Sequence, residues 1–226
     1  MEKMSRTLFG NLKARCAADW ESYVTHPFVR ALGDGSLPRE SFEHYLKQDY
    51  LFLIHFSRAY ALSIYKSNTL ADMRYAKNTL AALLDEEINL HTSFCGSWGI
   101  TERQMLDEPE AAANIAYTRY VLETGNSGDL LDLQVALVPC VIGYAEVAQW
   151  LIAQPSTVLE GNPYRGWIEM YAGEEYQAVA QSASTQLDDL GGRYGASARI
   201  QSLEKIFRDA TRLEIAFWQM GLDRSY

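Results

Sequence analysis

Apolar residues recur along this chain at three- and four-residue steps, the period that lines up side chains on one face of an α-helix. The first such segment sets Leu8, Leu12 and Ala18 among polar neighbours and predicts a helix running to about Val24. His26-Pro27 interrupts it, because proline disfavours the helical conformation in the residue before it. The glycines and aspartate of Gly33 to Ser36 read as a turn, and Leu37-Pro38-Arg39-Glu40 as the start of a second helix. There Phe42, Tyr45, Leu46, Tyr50, Leu53 and Phe56 carry the apolar pattern to Ser67. The same period predicts helices over 70–94, 110–123, 128–153, 164–171, 174–189 and 197–220, with loops at 154–162 and in the GGRYGAS segment. Alternation of the kind that marks a strand is absent over any five residues, and no repeat or linker divides the chain. The expected architecture is all-α: one compact helical bundle of about seven to nine helices, spanning 1–226 as a single domain.

Composition narrows the partners. Of 226 residues 48% are hydrophobic and 22% charged, which supplies a sizeable core. Twenty-nine acidic against twenty basic residues give a net charge of −9, which repels phosphate backbones and anionic lipid. Neither nucleic acid nor a membrane surface is therefore expected as a partner. The three cysteines, Cys16, Cys95 and Cys140, form no metal-type pair and suit a reducing compartment. The opening residues lack a signal-like apolar run, so a cytoplasmic protein is expected. Fourteen tyrosines serve either core packing or a pocket that stacks on a flat ring, and composition does not choose.

Three residues stand out as candidates for chemistry. Cys140 follows Pro139 in the apolar stretch LDLQVALVPCVIGYAEVAQWL, and a proline inside a helix disturbs it there and can expose the sulfur. Gly143 and Tyr144 share its helical face, the glycine making room beside the sulfur and the tyrosine offering a hydroxyl. The competing reading is an inert buried cysteine. Asp49 sits among Tyr45, Tyr50, Phe52, Leu53 and Phe56; if buried, it requires a partner, either a ligand nitrogen or a structural Arg or Lys. Glu214, in TRLEIAFWQMGL, is either an exposed helix glutamate or a buried proton donor. Glu87 and His91 are four apart on one helix and Glu146 lies on another, but the ligand set is too small for a dimetal centre. No metal site is expected, and Glu87 and His91 better suit a polar contact within the helix or hydrogen bonds to the core. GDGS and GGRYG lack the preceding strand that a dinucleotide site requires.

Four segments in order, HPFVRALGDGSLPRESFEHYLKQDYLFLIHFSRAYA, VPCVIGYAEVAQ, NPYRGWIEMYAGEEYQ and RLEIAFWQM, resemble the TenA/thiaminase II family over nearly the whole chain. The resemblance implies a haem-oxygenase-like fold without haem or other cofactor, usually a homotetramer. It implies an enzyme of thiamin salvage that hydrolyses 4-amino-5-aminomethyl-2-methylpyrimidine to the hydroxymethyl compound, some members also cleaving thiamin. By similarity Cys140 falls on the nucleophile, Glu214 on the general acid/base, and Asp49 on the carboxylate that grips the pyrimidine. Tyr117, Tyr144, Tyr171 and Phe217 fall on its aromatic surroundings. Phe52 departs from the pattern, since many members carry a tyrosine there. Two other readings remain: a metal-dependent oxygenase on the same fold, and a non-catalytic regulatory protein.

Overall fold

The computed structural model describes residues 7–226, apart from the side chains of Glu86 and Leu90. Its helices are α1 Leu8–Arg15, α2 Ala17–Val24, α3 Pro27–Asp34, α4 Arg39–Lys66, α5 Leu70–Ala82 and α6 Ile88–Ser97, a π turn at Leu83–Glu87 joining the last two. There follow α7 Glu102–Leu106, α8 Ala112–Ser127, α9 Leu130–Ala153, α10 Arg165–Ala172, α11 Glu174–Arg193 and α12 Ile200–Asp223. No strand occurs among the described residues, so the all-α expectation holds.

Two helices escape the periodicity. His26-Pro27 does end one helix, but it also begins another: Pro27 occupies the first turn, where its missing N–H costs nothing. The His26 ring Nδ1 accepts from the Phe28 amide at 3.2 Å, and Gly35 ends α3 in the left-handed conformation at φ 77°. Helix α7 is only five residues long and rests on a capping box, in which Thr101 accepts from the Gln104 amide and Gln104 accepts from the Thr101 amide. Elsewhere one predicted helix becomes two. A break at Cys16 separates α1 from α2, and the π turn interrupts the helix expected over 70–94.

Close contacts group the chain into two compact units. The first comprises residues 7–37 and Gln134–Ile215. It holds an aromatic cluster in which Trp20 stacks on Phe207 at 5.4 Å and meets Phe9 edge-on at 5.3 Å. Its long loop after α9 is pinned by Asn162, whose side-chain amide donates to the carbonyls of Leu32, Gly33 and Val158 at 3.0, 3.0 and 2.8 Å. The Asn162 carbonyl oxygen accepts from the Tyr164 amide, and the Tyr164 hydroxyl donates to Leu37.

The second unit comprises Pro38–Leu133 and Ala216–Tyr226. Helix α4 is its centre and packs on α5 and α8. A buried amide network joins α4 to the start of α8. Gln48 donates to the Pro109 carbonyl and accepts from the Ala111 amide, while Asn114 donates to the Gln48 carbonyl. Both polar ends of the Gln48 amide are thereby paired within the protein, which offsets the penalty for burying it. The network also fixes the turn of α4 that carries the next residue, Asp49.

Candidate functional site

In the second unit Asp49 is 4% exposed, and its partners are neither Arg nor Lys. His91 Nε2 lies 2.6 Å from Oδ2, and the Tyr45 hydroxyl donates to the same oxygen at 3.2 Å. The other ring nitrogen of His91, Nδ1, faces the Glu87 backbone carbonyl at 2.9 Å. The polar contact expected between Glu87 and His91 is thus real, but it runs to the main chain. A carbonyl can only accept, so Nδ1 carries a hydrogen, and Nε2 needs one as well to meet the carboxylate. Burial alone would lower the pKa of His91. The hydrogen bond and charge of Asp49 outweigh it and raise the value to about 8. Near neutrality His91 is therefore an imidazolium.

Around this pair stands an aromatic wall. Phe52 stacks on Phe56 at 5.2 Å, tilts against Tyr117 at 5.0 Å and meets Phe217 at 5.6 Å. Tyr45 meets Phe217 edge-on at 6.1 Å. Asp49, Phe52, Tyr117 and Phe217, which the resemblance groups together, are thus linked through Tyr45, and Phe52 meets both Tyr117 and Phe217.

The first unit holds the remaining candidates. Cys140 lies on α9 and is half-buried, whereas Cys16 and Cys95 are buried. Burial pushes the Cys95 thiol up to about 11 and raises that of Cys16, so neither supplies a thiolate near pH 7. Glu214, on α12, is 2% exposed, which removes the reading of a solvated helix glutamate. Tyr144 and Tyr171 pack together at 5.0 Å with Trp167, which lies 5.7 Å from the first and 4.6 Å from the second.

The helix α9 runs through Pro139. The role expected of Gly143 needs correcting: the room it leaves goes to a tyrosine. A Cβ at Gly143 would lie 2.4 Å from Cε1 of Tyr23 and 2.7 Å from its hydroxyl oxygen. That hydroxyl donates to the Pro139 carbonyl at 3.3 Å, so Tyr23 props the backbone directly before Cys140. Tyr23, Trp167 and His91 carry no sequence signal for these roles. Tyr45 has one, the four-residue step to Asp49.

The residues considered for a metal are otherwise committed. Both ring nitrogens of His91 are used, and Glu146 Oε2 accepts from Lys13 at 2.6 Å and from the Trp20 indole at 2.9 Å. Among the described residues no three His, Cys, Asp or Glu side chains group as metal ligands would.

Residues 13–224 match the family described as TENA/THI-4/PQQC. The chain belongs to this family. Among its relatives is an uncharacterized protein of Haemophilus influenzae, 47% identical over 90% of this chain and 94% of that protein. Another is an aminopyrimidine aminohydrolase of Halalkalibacterium halodurans, 36% identical over 89% of each. A crystal structure from Silicibacter, described as a TenA family transcription regulator, superposes with a TM-score of 0.90 at 45% identity, covering 98% of this chain and 99% of that one. A Shewanella denitrificans domain of unknown function with a heme oxygenase-like fold superposes at 0.75, over 96% of this chain and 92% of its own; at 15% identity it speaks for the fold alone. The family and the haem-oxygenase-like architecture read from the sequence are both borne out.

Proposed function

We propose that this TENA/THI-4/PQQC family member is an aminopyrimidine aminohydrolase acting in thiamin metabolism, with 4-amino-5-aminomethyl-2-methylpyrimidine as substrate. The observation that carries the reading is the near full-length match to an enzyme of that name, at 36% identity. The cysteines agree with it, since Cys140 is the only one of the three that is not buried.

In this reading Asp49 accepts from the pyrimidine amino group and the aromatic residues Phe52, Tyr117, Tyr144, Tyr171 and Phe217 enclose the ring. Glu214 acts as general acid and base, and its burial suits a carboxyl that must hold and release a proton near neutrality. The Cys140 thiolate adds to a ring carbon activated by protonation of a ring nitrogen. Electrons return from the ring to expel the aminomethyl nitrogen, which takes a proton from Glu214 and leaves as ammonia, leaving an electron-poor methylene. Water adds to that carbon, its proton passes to the base, and the thiolate is expelled. The net change is amine plus water to alcohol plus ammonia. Thiamin fits the same scheme with the thiazole as leaving group. A homotetramer in the cytoplasm completes the proposal, and light scattering of the purified protein tests the assembly.

Cys140→Ser is expected to abolish formation of the hydroxymethyl product while isothermal titration still shows pyrimidine binding. Hydrolysis near the wild-type rate by that variant removes Cys140 from the reaction. A regulatory protein without catalysis would give no product from either aminomethylpyrimidine or thiamin.

A further inference from the structure

Asp49 uses its two carboxylate oxygens unequally. Tyr45 and His91 both bind Oδ2, at 3.2 and 2.6 Å. Oδ1 takes no hydrogen bond from the described residues, yet it is not among the sealed side-chain atoms that lack a partner. It belongs to a residue that is 4% exposed. Leaving a carboxylate oxygen unpaired in such a place is costly unless something outside the protein completes it.

His91 explains how that arrangement persists. Its Nδ1 is anchored on the Glu87 carbonyl, in the π turn that enters α6, and this sets the plane of the ring. Nε2 then reaches Asp49 on α4, 42 residues away in sequence. π turns tend to occur where a helix must redirect a functional side chain. With both nitrogens facing acceptors the ring is doubly protonated, so it brings a positive charge as well as a hydrogen bond.

We propose that His91 is a positioning residue for the ligand-binding carboxylate: with Tyr45 it occupies Oδ2 and presents Oδ1 alone to one N–H of the bound pyrimidine. The inference rests on the reading that Asp49 binds an aminopyrimidine. It adds a specific consequence: ligand affinity follows the protonation state of a histidine that never touches the ligand. The titratable neighbours are few. Asp49 and Glu87 act on the ring itself; Tyr45 shares the carboxylate; Cys95, one turn beyond His91, is held protonated by burial and also senses Glu43 and Lys47.

The test measures Kd for hydroxymethylpyrimidine by isothermal titration from pH 5 to 9.5, for wild type, His91→Gln and Asp49→Asn. Wild type is expected to bind evenly near neutrality and to weaken as pH rises through about 8, where His91 loses its proton. His91→Gln is expected to bind about tenfold more weakly at pH 7, the equivalent of one pKa unit. It should lack the alkaline weakening. A His91→Gln profile that superimposes on wild type overturns the proposal. If Asp49→Asn binds as tightly as wild type, the underlying reading of Asp49 fails instead, so the two failures are told apart. Should His91→Gln lose its helical circular dichroism, the ring ¹⁵N shifts of His91 in wild type decide the matter. Both nitrogens protonated at pH 7 supports the proposal, and a neutral ring refutes it.

Discussion

Replacing a glycine inside a helix by alanine ordinarily stabilises a protein, by about 1 kcal/mol. Gly143→Ala in α9 is expected to do the opposite. The added Cβ would stand 2.4 Å from Tyr23 Cε1, 2.7 Å from its hydroxyl and 2.9 Å from Cζ. Carbon atoms rest at about 3.5 Å or more, so the ring must retreat by about 1 Å. It has little room to do so. Tyr23 is fully buried and meets Trp20 edge-on at 5.5 Å. Overpacking of this kind costs about 1–3 kcal/mol, and losing the long hydrogen bond to Pro139 adds about 0.5–1 kcal/mol. Set against the helix-propensity gain, the net loss is about 0.5–3 kcal/mol. Urea unfolding followed by circular dichroism measures it. A double-mutant cycle assigns the cause: on a Tyr23→Leu background the same alanine should be neutral or stabilising. If Gly143→Ala is as stable as wild type, or if the two substitutions are additive, the glycine is not there to admit Tyr23.

Asn162→Ala should cost about 2–4 kcal/mol, because it leaves three carbonyls and the Tyr164 amide without their buried partner; a loss below 1 kcal/mol would mean that water replaces the amide. The buried ion pair should also give stability a pH signature. His91 titrates at about 8 in the fold against 6.5 ordinarily, so its contribution is fully present below pH 6.5 and is lost as pH rises through 8. The stability difference between wild type and His91→Gln should therefore shrink by about 2 kcal/mol between pH 6 and 9, and a constant difference would contradict the assignment. His44 and His55 oppose this trend: burial lowers both, so they contribute above pH 6.5 and cease to do so as pH falls.

Helices long enough to repeat the apolar pattern several times were legible, and α4, α8, α9 and α12 lie close to where the spacing puts them. What escaped is short or local. Helix α3 has two turns, and its proline reads equally as a stop for the previous helix and a start for the next. Only the capping residue in front of it, a histidine rather than a serine or aspartate, decides between them. The π turn has no signature in residue type, since one extra residue in a turn leaves the apolar pattern almost intact.

At the candidate site the residue types were legible and their partners were not. A carboxylate among aromatics must be paired if it is buried, and that much follows from solvation alone. Which residue pairs it depends on how α6 is rotated after the π turn, a choice that four residues of spacing between Glu87 and His91 cannot encode. The spacing suggested a polar contact within the helix or a hydrogen bond to the core, and did not choose between them. The fold gives His91 both, a backbone acceptor on one side and Asp49 on the other, and this has chemical weight. A histidine shared with Glu87 would leave Oδ2 of Asp49 to Tyr45 alone. A histidine facing two acceptors brings a fixed donor and a positive charge to Oδ2, and leaves the other oxygen to accept an N–H from an amine.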